Sequence, residues 1–303
     1  MRILTSSYTL DRAGVPTYTY ALVCGLQARG HEVTVYSPIG GHYASLMPTV
    51  SVLDPAQSYD IIVAQHTNCA YDLRAAYPHI PFVFAAHGVL PVIEQSPVGI
   101  DIDRWTAINT QVTQHLVNCG VPRDRIDLVR DFVDESQFVP RTALRADTPH
   151  VLFISNYKKW RNYRILSEAC AALKLPFKAV GSPYGRSRDL VADINDADIV
   201  VSWGRGILEG MSCGRCVISF DKTHGDGYLD ESAYYKSRET NFSHFFEGDT
   251  YYDFTTEMMI EQLRRYNPDD GRTNRRLIEQ HHTLQHGIDC VMDNVTRTLS
   301  QYS

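Results

Sequence analysis

Long hydrophobic runs are missing from this chain. No apolar stretch approaches the roughly 20 residues that a membrane-spanning helix needs. Excess positive charge is missing too, since Lys and Arg number 29 against 35 Asp and Glu, for a net charge of −6. That balance argues against a protein that coats a polyanion, because nonspecific nucleic-acid binding is largely Lys/Arg–phosphate electrostatics; a local basic pocket stays compatible with it. A paired-cysteine framework is also absent. The 7 cysteines are odd in number and irregularly spaced, several inside apolar runs, which reads as reduced, mostly buried thiols in a reducing compartment. Cys213 and Cys216 form a C-x-x-C with no second pair, so neither a redox centre nor a zinc site is expected there. No signal-peptide pattern precedes the strand-like "MRILTSS", and a cytoplasmic location is the expectation. There is no G-x-G-x-x-G fingerprint, no short-period repeat and no low-complexity segment.

What is present is a soluble α/β pattern. The length of 303 residues and 44% hydrophobic content suffice for two ordinary domains with real cores. "RILTSS", the helical "VPTYTYALVCGLQARG" and the strand-like "HEVTVYS" make one βαβ unit, with Gly30 as the residue that ends the helix. "YDIIVAQH" and "IPFVFAAHG" are further strands, with "DRWTAIN" and "RIDLVRDFV" as weaker ones. After the polar "PRTALRADTPH", which suits a linker, the pattern restarts with "VLFIS", the amphipathic "YRILSEACAALKL", "FKAVGS", "ADIVVS" and "CVISFD". Continuous apolar strands alternating with helices predict parallel sheets covered on both faces. The expected organisation is a Rossmann-like domain over residues 1–142, a second over 148–285, and a helix over 286–303 packing back on the first. Two such halves facing each other would form a cleft at the carboxyl ends of their sheets, where open α/β folds bind ligands.

Several segments put chemistry at those ends. Gly14, after the first strand, allows close backbone approach to a helix N-terminus that can receive phosphate, although a simple connection explains it as well. Lys158, Lys159 and Arg161, in "SNYKKWRNYRIL", follow the first strand of the second half and could neutralise a diphosphate; a solvated charged turn is the plainer alternative. Gly181 and Tyr184, in "VGSPYGR", offer either a nucleobase platform or an ordinary turn. In "GILEGMSCGRCVISFD", Glu209 is expected in the first turn of a short helix, where the dipole favours a carboxylate by ~0.3–1 kcal/mol. Alternatively it accepts hydrogen bonds from two vicinal ribose hydroxyls, the small Gly210, Ser212 and Gly214 letting helix and ligand approach closely. His66 and His87 each end a strand in the first half and could contact sugar hydroxyls or polarise a leaving phosphate. Asp101 and Asp103 form a loose D-x-D, but before a strand rather than after one. His282 and His286 lie four apart, on what reads as a surface helix without a third ligand. No metal site is expected from either.

Together these segments resemble the family 4 retaining glycosyltransferases of the GT-B fold. The resemblance rests on the opening strand and glycine loop, "GHEVTVYSP", "PFVFAAHG", "GVPRDRIDLVRDFVDESQF" with Asp134 and Phe138 in place, and above all "LEGMSCGRCVIS". It implies transfer from a UDP- or GDP-sugar with retained configuration and without cofactor or metal. His87, Lys158 and Arg161 would be catalytic. Gly14, Asn156, Lys159, Gly181, Tyr184, Gly206, Ile207, Leu208 and Glu209 would bind the donor, with Glu209 on its ribose. The acceptor is not implied, and a homo-oligomer is left open. Two departures stand out: the earlier glutamate of the family's E-x7-E is Val201 here, with Trp203 nearby, and its arginine after the first strand of the second domain is Asn156. A catalytically inert nucleotide-sugar-binding subunit, supporting an active partner, is therefore the alternative.

Overall fold

The structure, a computed structural model, describes residues 1–89, 91–156, 160–221, 224–243 and 254–302. The chain forms two compact units: residues 1–131 with 284–303, and residues 132–283.

Unit 1 is a 7-stranded parallel sheet of β1 (Arg2–Ser6), β2 (Glu32–Tyr36), β3 (Thr49–Val50), β4 (Ile61–Gln65), β5 (Phe82–Ala86), β6 (Arg104–Ala107) and β7 (Ile126–Leu128). The order β3-β2-β1-β4-β5-β6-β7 reverses direction between β1 and β4, so these carboxyl ends flank the switch point. Helices α1 (Gly14–Ala28), α2 (Thr67–Ala76) and α3 (Thr110–Asn118) follow β1, β4 and β6. Side chains alternate across the sheet, as the strand period requires. Leu4, Ile62, Phe82 and Phe84 join Cys69 and Leu73 of α2 and Leu116 of α3 in one core. Ile3, Val33, Ile61 and Val83 are buried on the other face, which α1 and the C-terminal α10 (Leu284–Leu299) cover. α1 ends in a hydrogen-bonded reversal: Gly30 N donates to Gln27 O (2.9 Å) and His31 N to Leu26 O (3.2 Å). Gly30 has φ +79°, a conformation that suits glycine.

α10 belongs to this unit by packing and charge. Ile288 lies against Gly25, where an added Cβ would sit 2.5 Å from its Cγ1. Arg29 pairs with Asp289 (2.6 Å), and Asn294 Nδ2 donates to Asp127 (2.7 Å).

Unit 2 holds a 5-stranded sheet in the order β12-β11-β10-β8-β9. The strands are β8 (Val151–Ile154), β9 (Phe177–Val180), β10 (Ile199–Ser202), β11 (Cys216–Asp221) and β12 (His224–Tyr228). All neighbours are parallel except β11 and β12, and the switch point lies between β8 and β10. The antiparallel β12 is a finding with no sequence expectation behind it. Helices are α4 (Trp160–Leu173), α5 (Leu190–Asp196), α6 (Arg205–Ser212), α7 (Glu231–Ser237), α8 (Thr256–Arg264) and α9 (Asp269–His281). Both sheet faces are buried. Val151, Phe153, Ile199 and Val201 join Ile165, Leu166 and Ala169 of α4, while Leu152, Val200 and Val217 join Ile207, Leu208 and Met211 of α6.

The polar stretch 140–150, which reads as a linker, is a strap tied to unit 2. Arg141 N donates to Asn195 Oδ1 (2.6 Å), and the buried Asp198 carboxylate accepts from Arg145 N (2.9 Å) and His150 N (2.7 Å). Arg215, almost fully buried, donates to Thr142 O (2.6 Å) from the other side. The units accordingly divide at residues 131/132 and 283/284, earlier in the chain than the sequence suggests. Among the described residues no helix is long and apolar enough to cross a membrane.

Candidate functional site

In unit 2 the loops after β8, β9 and β10 converge at the switch point. Gly181 follows β9 at φ +131°, and an added Cβ would lie 1.9 Å from the carbonyl oxygen of Ser155, so only glycine fits. Asn156, one residue further, accepts from Ser182 N through Oδ1 (3.0 Å) and joins the same two loops. Ser202, closing β10, donates from Oγ to Ile154 O (2.9 Å) and ties the third loop to the first. Gly204 (φ +55°) then turns the chain into α6.

α6 begins at Arg205, which corrects the expected place of Glu209. The glutamate is the fifth helical residue, a full turn inside, where the terminal dipole no longer explains a carboxylate. Its side chain is buried and pairs with Arg205 one turn earlier (Nε–Oε1 3.4 Å), the two being 7% and 8% exposed. Arg205 in turn donates from Nη1 to Phe132 O (2.9 Å). The small neighbours also differ from expectation. A Cβ on Gly206 would meet Ser202 Oγ at 2.2 Å, and one on Gly210 would meet Val200 and Val217. Ser212 Oγ donates to Phe138 O (2.7 Å), and Gly214 ends the helix at φ +66° beside Pro140. Gly206 and Gly210 thus seat α6 on its own sheet, while Ser212 and Gly214 hold its end against residues 138 and 140. Ile207 and Leu208 are core residues by their side chains, which leaves their backbones alone for donor binding.

Arg161 is exposed in the first turn of α4, and Asn156 is exposed just before that helix. Lys158 and Lys159 lie outside the described residues. The Tyr184 ring stacks on Tyr163 (centroids 5.3 Å apart, 19° between planes), so one of its faces is covered by the unit itself. Val201 is a core residue, and the Trp203 ring meets His224 edge-on at 6.4 Å.

In unit 1 the ends of β1, β4 and β5 carry a polar network that includes His87. Gln65, the last residue of β4, is buried; its Oε1 lies 2.9 Å from His87 Nε2. The Tyr18 ring meets His87 edge-on at 4.7 Å. His66 follows with φ +64°, a strained conformation for a side chain of this size. Its Nδ1 accepts from Tyr8 N (3.0 Å), and burial lowers its pKa to about 4, so the ring is neutral near pH 7. Gly14 opens α1, and a Cβ there would meet nothing within 4 Å.

The structure thus gathers Asn156, Gly181 and the start of α6 at one switch point, and Gln65, His66 and His87 at the other. Gln65 and Arg205 escaped the sequence reading, although each had a signal. Gln65 is the polar close of an apolar run, and Arg205 stands four residues before a helical glutamate.

The discounted motifs resolve into structural parts. Asp103 accepts from Phe82 N (2.7 Å) and Tyr302 OH (2.8 Å). His282 and His286 share no surface helix, because His282 is the buried residue ending α9 and His286 lies in α10. Burial pushes the Cys213 and Cys216 thiols up to about 12 and about 11, which keeps both protonated and unreactive. Among the described residues no group of three or more His, Cys, Asp and Glu side chains comes together as a metal site would require.

Paired α/β units of this topology define the GT-B fold of glycosyltransferases, and solved structures of that class superimpose on nearly the whole chain. HepE from Anabaena, in complex with UDP-glucose, is 12% identical with a TM-score of 0.71 over 98% of this chain and 100% of that one. Sucrose-phosphate synthase from Thermosynechococcus elongatus is 14% identical with a TM-score of 0.68, covering 100% of both chains. An α-glucosyltransferase in complex with UDP and a 13-mer DNA containing a HMU base is 11% identical, with a TM-score of 0.65 over 98% and 99% of the two chains. At such identities the likeness carries the fold. The sequence matches no protein-family model and no curated protein.

Proposed function

We propose that this protein is a glycosyltransferase that moves a sugar from a nucleoside diphosphate, UDP or GDP, to an acceptor hydroxyl, retaining configuration and using no metal ion. The observation that carries the reading is the convergence at the unit 2 switch point. Three strand-end loops meet there, joined through Asn156 Oδ1 and Ser202 Oγ, beside a helix that buries a glutamate. Open α/β sheets bind nucleotides at such points. Two of the similar structures contain UDP or UDP-glucose, which supports uridine as the first base to try.

In this reading Glu209 receives the ribose hydroxyls, and Gly181 and Tyr184 lie near the base. Arg161, with Lys158 and Lys159, neutralises the diphosphate, while on unit 1 Gly14 approaches phosphate and His87 the sugar. As the bond from the anomeric carbon to phosphate oxygen breaks, the leaving nucleotide keeps the electron pair and the cations take up its charge. The acceptor oxygen bonds to the anomeric carbon on the same face, and its proton passes to a donor phosphate oxygen.

A second reading, a binding subunit without turnover, is favoured by the Arg205–Glu209 pair and by the burial of Val201. Incubation with UDP- and GDP-sugars and varied acceptors, following released nucleotide, separates the two. Release of UDP or GDP with a glycosylated product is the expected result. Saturable nucleotide-sugar binding with no release for any acceptor would favour the second reading, and no binding at all would remove both.

A further inference from the structure

We propose that the oxygens gathered at Thr67 form a binding site for a monovalent alkali cation, Na⁺ or K⁺, which fastens the loop after β5 to the start of α2. The site lies wholly within unit 1 and is independent of the function proposed above.

The inference follows from counting protons around one hydroxyl. Thr67 opens α2 and is buried; its Oγ1 lies 3.0 Å from Val92 O, 3.2 Å from Ile93 O and in contact with Gln95 O. A hydroxyl has a single proton to give. Val92 O has a second donor, Gln95 N at 3.3 Å. Among the described residues Ile93 O and Gln95 O have no donor besides Thr67. At least one carbonyl oxygen therefore stands against Thr67 Oγ1 with no proton between them. Elsewhere the same loop is held by matched pairs. Tyr71, one turn along α2, donates to Val98 O (3.0 Å) and accepts from Val98 N (3.0 Å). Gln95 Nε2 donates to Val89 O (2.9 Å), and Trp105 Nε1 donates to Ser96 Oγ (2.9 Å).

Local structure explains why the oxygens converge. Val92–Glu94 is a 3₁₀ turn, whose closing carbonyls have no partner inside it and point along its axis. The chain extends again at Gln95 (φ −75°, ψ 157°), which brings a third carbonyl alongside. Converging oxygens short of protons are the ligand set of a hard cation. Every ligand here is neutral: three carbonyls and one hydroxyl. Ca²⁺ and Mg²⁺ sites draw on carboxylates, whereas carbonyl oxygens alone replace the hydration shell of K⁺. A single positive charge is what this set suits. Such a site has no sequence signature, because most of its ligands are backbone atoms. The partial positive charge at the start of α2 opposes the ion and, at the same time, attracts the carbonyls. The rival account is therefore one hydroxyl shared among three carbonyls with no ion present. The two accounts differ in how the protein responds to the identity of the salt.

Thermal unfolding of the full chain in NaCl, KCl and choline chloride at equal ionic strength tests the site, since choline is too large for it and screening is the same. Na⁺ or K⁺ at about tenfold its Kd is expected to raise Tm by roughly 3–6 °C over choline, and the ion with the larger shift names the occupant. Equal Tm in all of these salts overturns the proposal and leaves the shared hydroxyl. Thr67→Val, which keeps the shape and removes the oxygen, is expected to lose most of the difference, and Thr67→Ser to keep it. An undiminished difference in Thr67→Val puts the ion elsewhere and overturns the proposal. Should Thr67→Val fail to fold, wild-type crystals soaked in thallium(I), an alkali-ion stand-in with strong anomalous scattering, decide. A peak among Thr67 Oγ1 and the carbonyls of Val92, Ile93 and Gln95 supports the site, and the absence of one there refutes it.

Discussion

Replacing Glu209 tests stability and donor binding together, and the structure says how to keep them apart. The Glu209 side chain is 7% exposed and that of its partner Arg205 8%. Glu209→Ala removes the carboxylate that pairs with the buried Arg205 guanidinium, and breaking a buried pair costs about 3–5 kcal/mol in comparable sites. For a domain of this size each kcal/mol lowers Tm by about 2–4 °C, so the alanine variant should melt roughly 6–12 °C lower at the smaller of those costs. A loss of activity in Glu209→Ala would therefore be ambiguous. Glu209→Gln keeps the volume and one acceptor, and its Tm should fall less. The decisive comparison is between UDP and 2′-deoxy-UDP by calorimetry. Hydrogen bonds to a charged group are worth about 1.5–3 kcal/mol, so wild type should prefer the ribose form by about tenfold or more. In Glu209→Gln that preference should shrink severalfold while a folded protein remains. An unchanged preference in a variant that folds as well as wild type would falsify the ribose assignment.

Two further perturbations follow from the site geometry. His66 has a folded pKa of about 4 against an ordinary 6.5. Its contribution is therefore complete above pH 6.5 and falls as pH drops through that window, by up to about 3 kcal/mol; urea midpoints at pH 7.5 and 4.5 should show this loss, and His66→Asn should flatten it. If the variant's pH dependence matches wild type, His66 is not the group responsible. Gly14→Ala meets no atom and should leave Tm unchanged or slightly higher while weakening UDP-sugar binding, whereas Gly206→Ala collides with Ser202 and should cost about 1–3 kcal/mol. Undiminished affinity in Gly14→Ala would remove that loop from the donor site.

The parts of the fold that were legible in sequence are those governed by local rules. The α1 helix and its Gly30 ending follow from side-chain period and the need for positive φ, and the two-faced burial of β8 and β10 follows from unbroken apolar runs. Residues 140–150 misled because polarity normally marks solvent, and the carboxylate that organises them, Asp198, lies far along the chain. β12 went unseen because "HGDGY" lacks the apolar pattern of a strand; its pairing depends on β11 beside it. At the site, the residue type was readable for Glu209 and both the type and the strand-end position for His87. Their partners were not equally so: Gln65 reaches His87 only when β4 and β5 pair, whereas Arg205 was local and simply passed over. Gly210 packs on β10 and β11 rather than beside a ligand, a difference the sequence hides because a glycine facing a ligand and one facing a sheet look alike until the helix has a rotation.

The return of α10 to unit 1 has a consequence for biosynthesis. Residues 132–283 are translated between the two pieces of unit 1, and Val133 pairs with Thr283, so the inserted unit begins and ends side by side. All of its residues are in the chain before α10 is added, so it needs nothing beyond Thr283 to close on itself. The first 131 residues, by contrast, wait with one face of α1 uncovered, Gly25 lacking the Ile288 that fills its groove. The nascent chain is thus expected to complete its middle before its beginning, reversing the usual order in which N-terminal domains fold first, and a chaperone that guards early-emerging apolar surface would find it on α1.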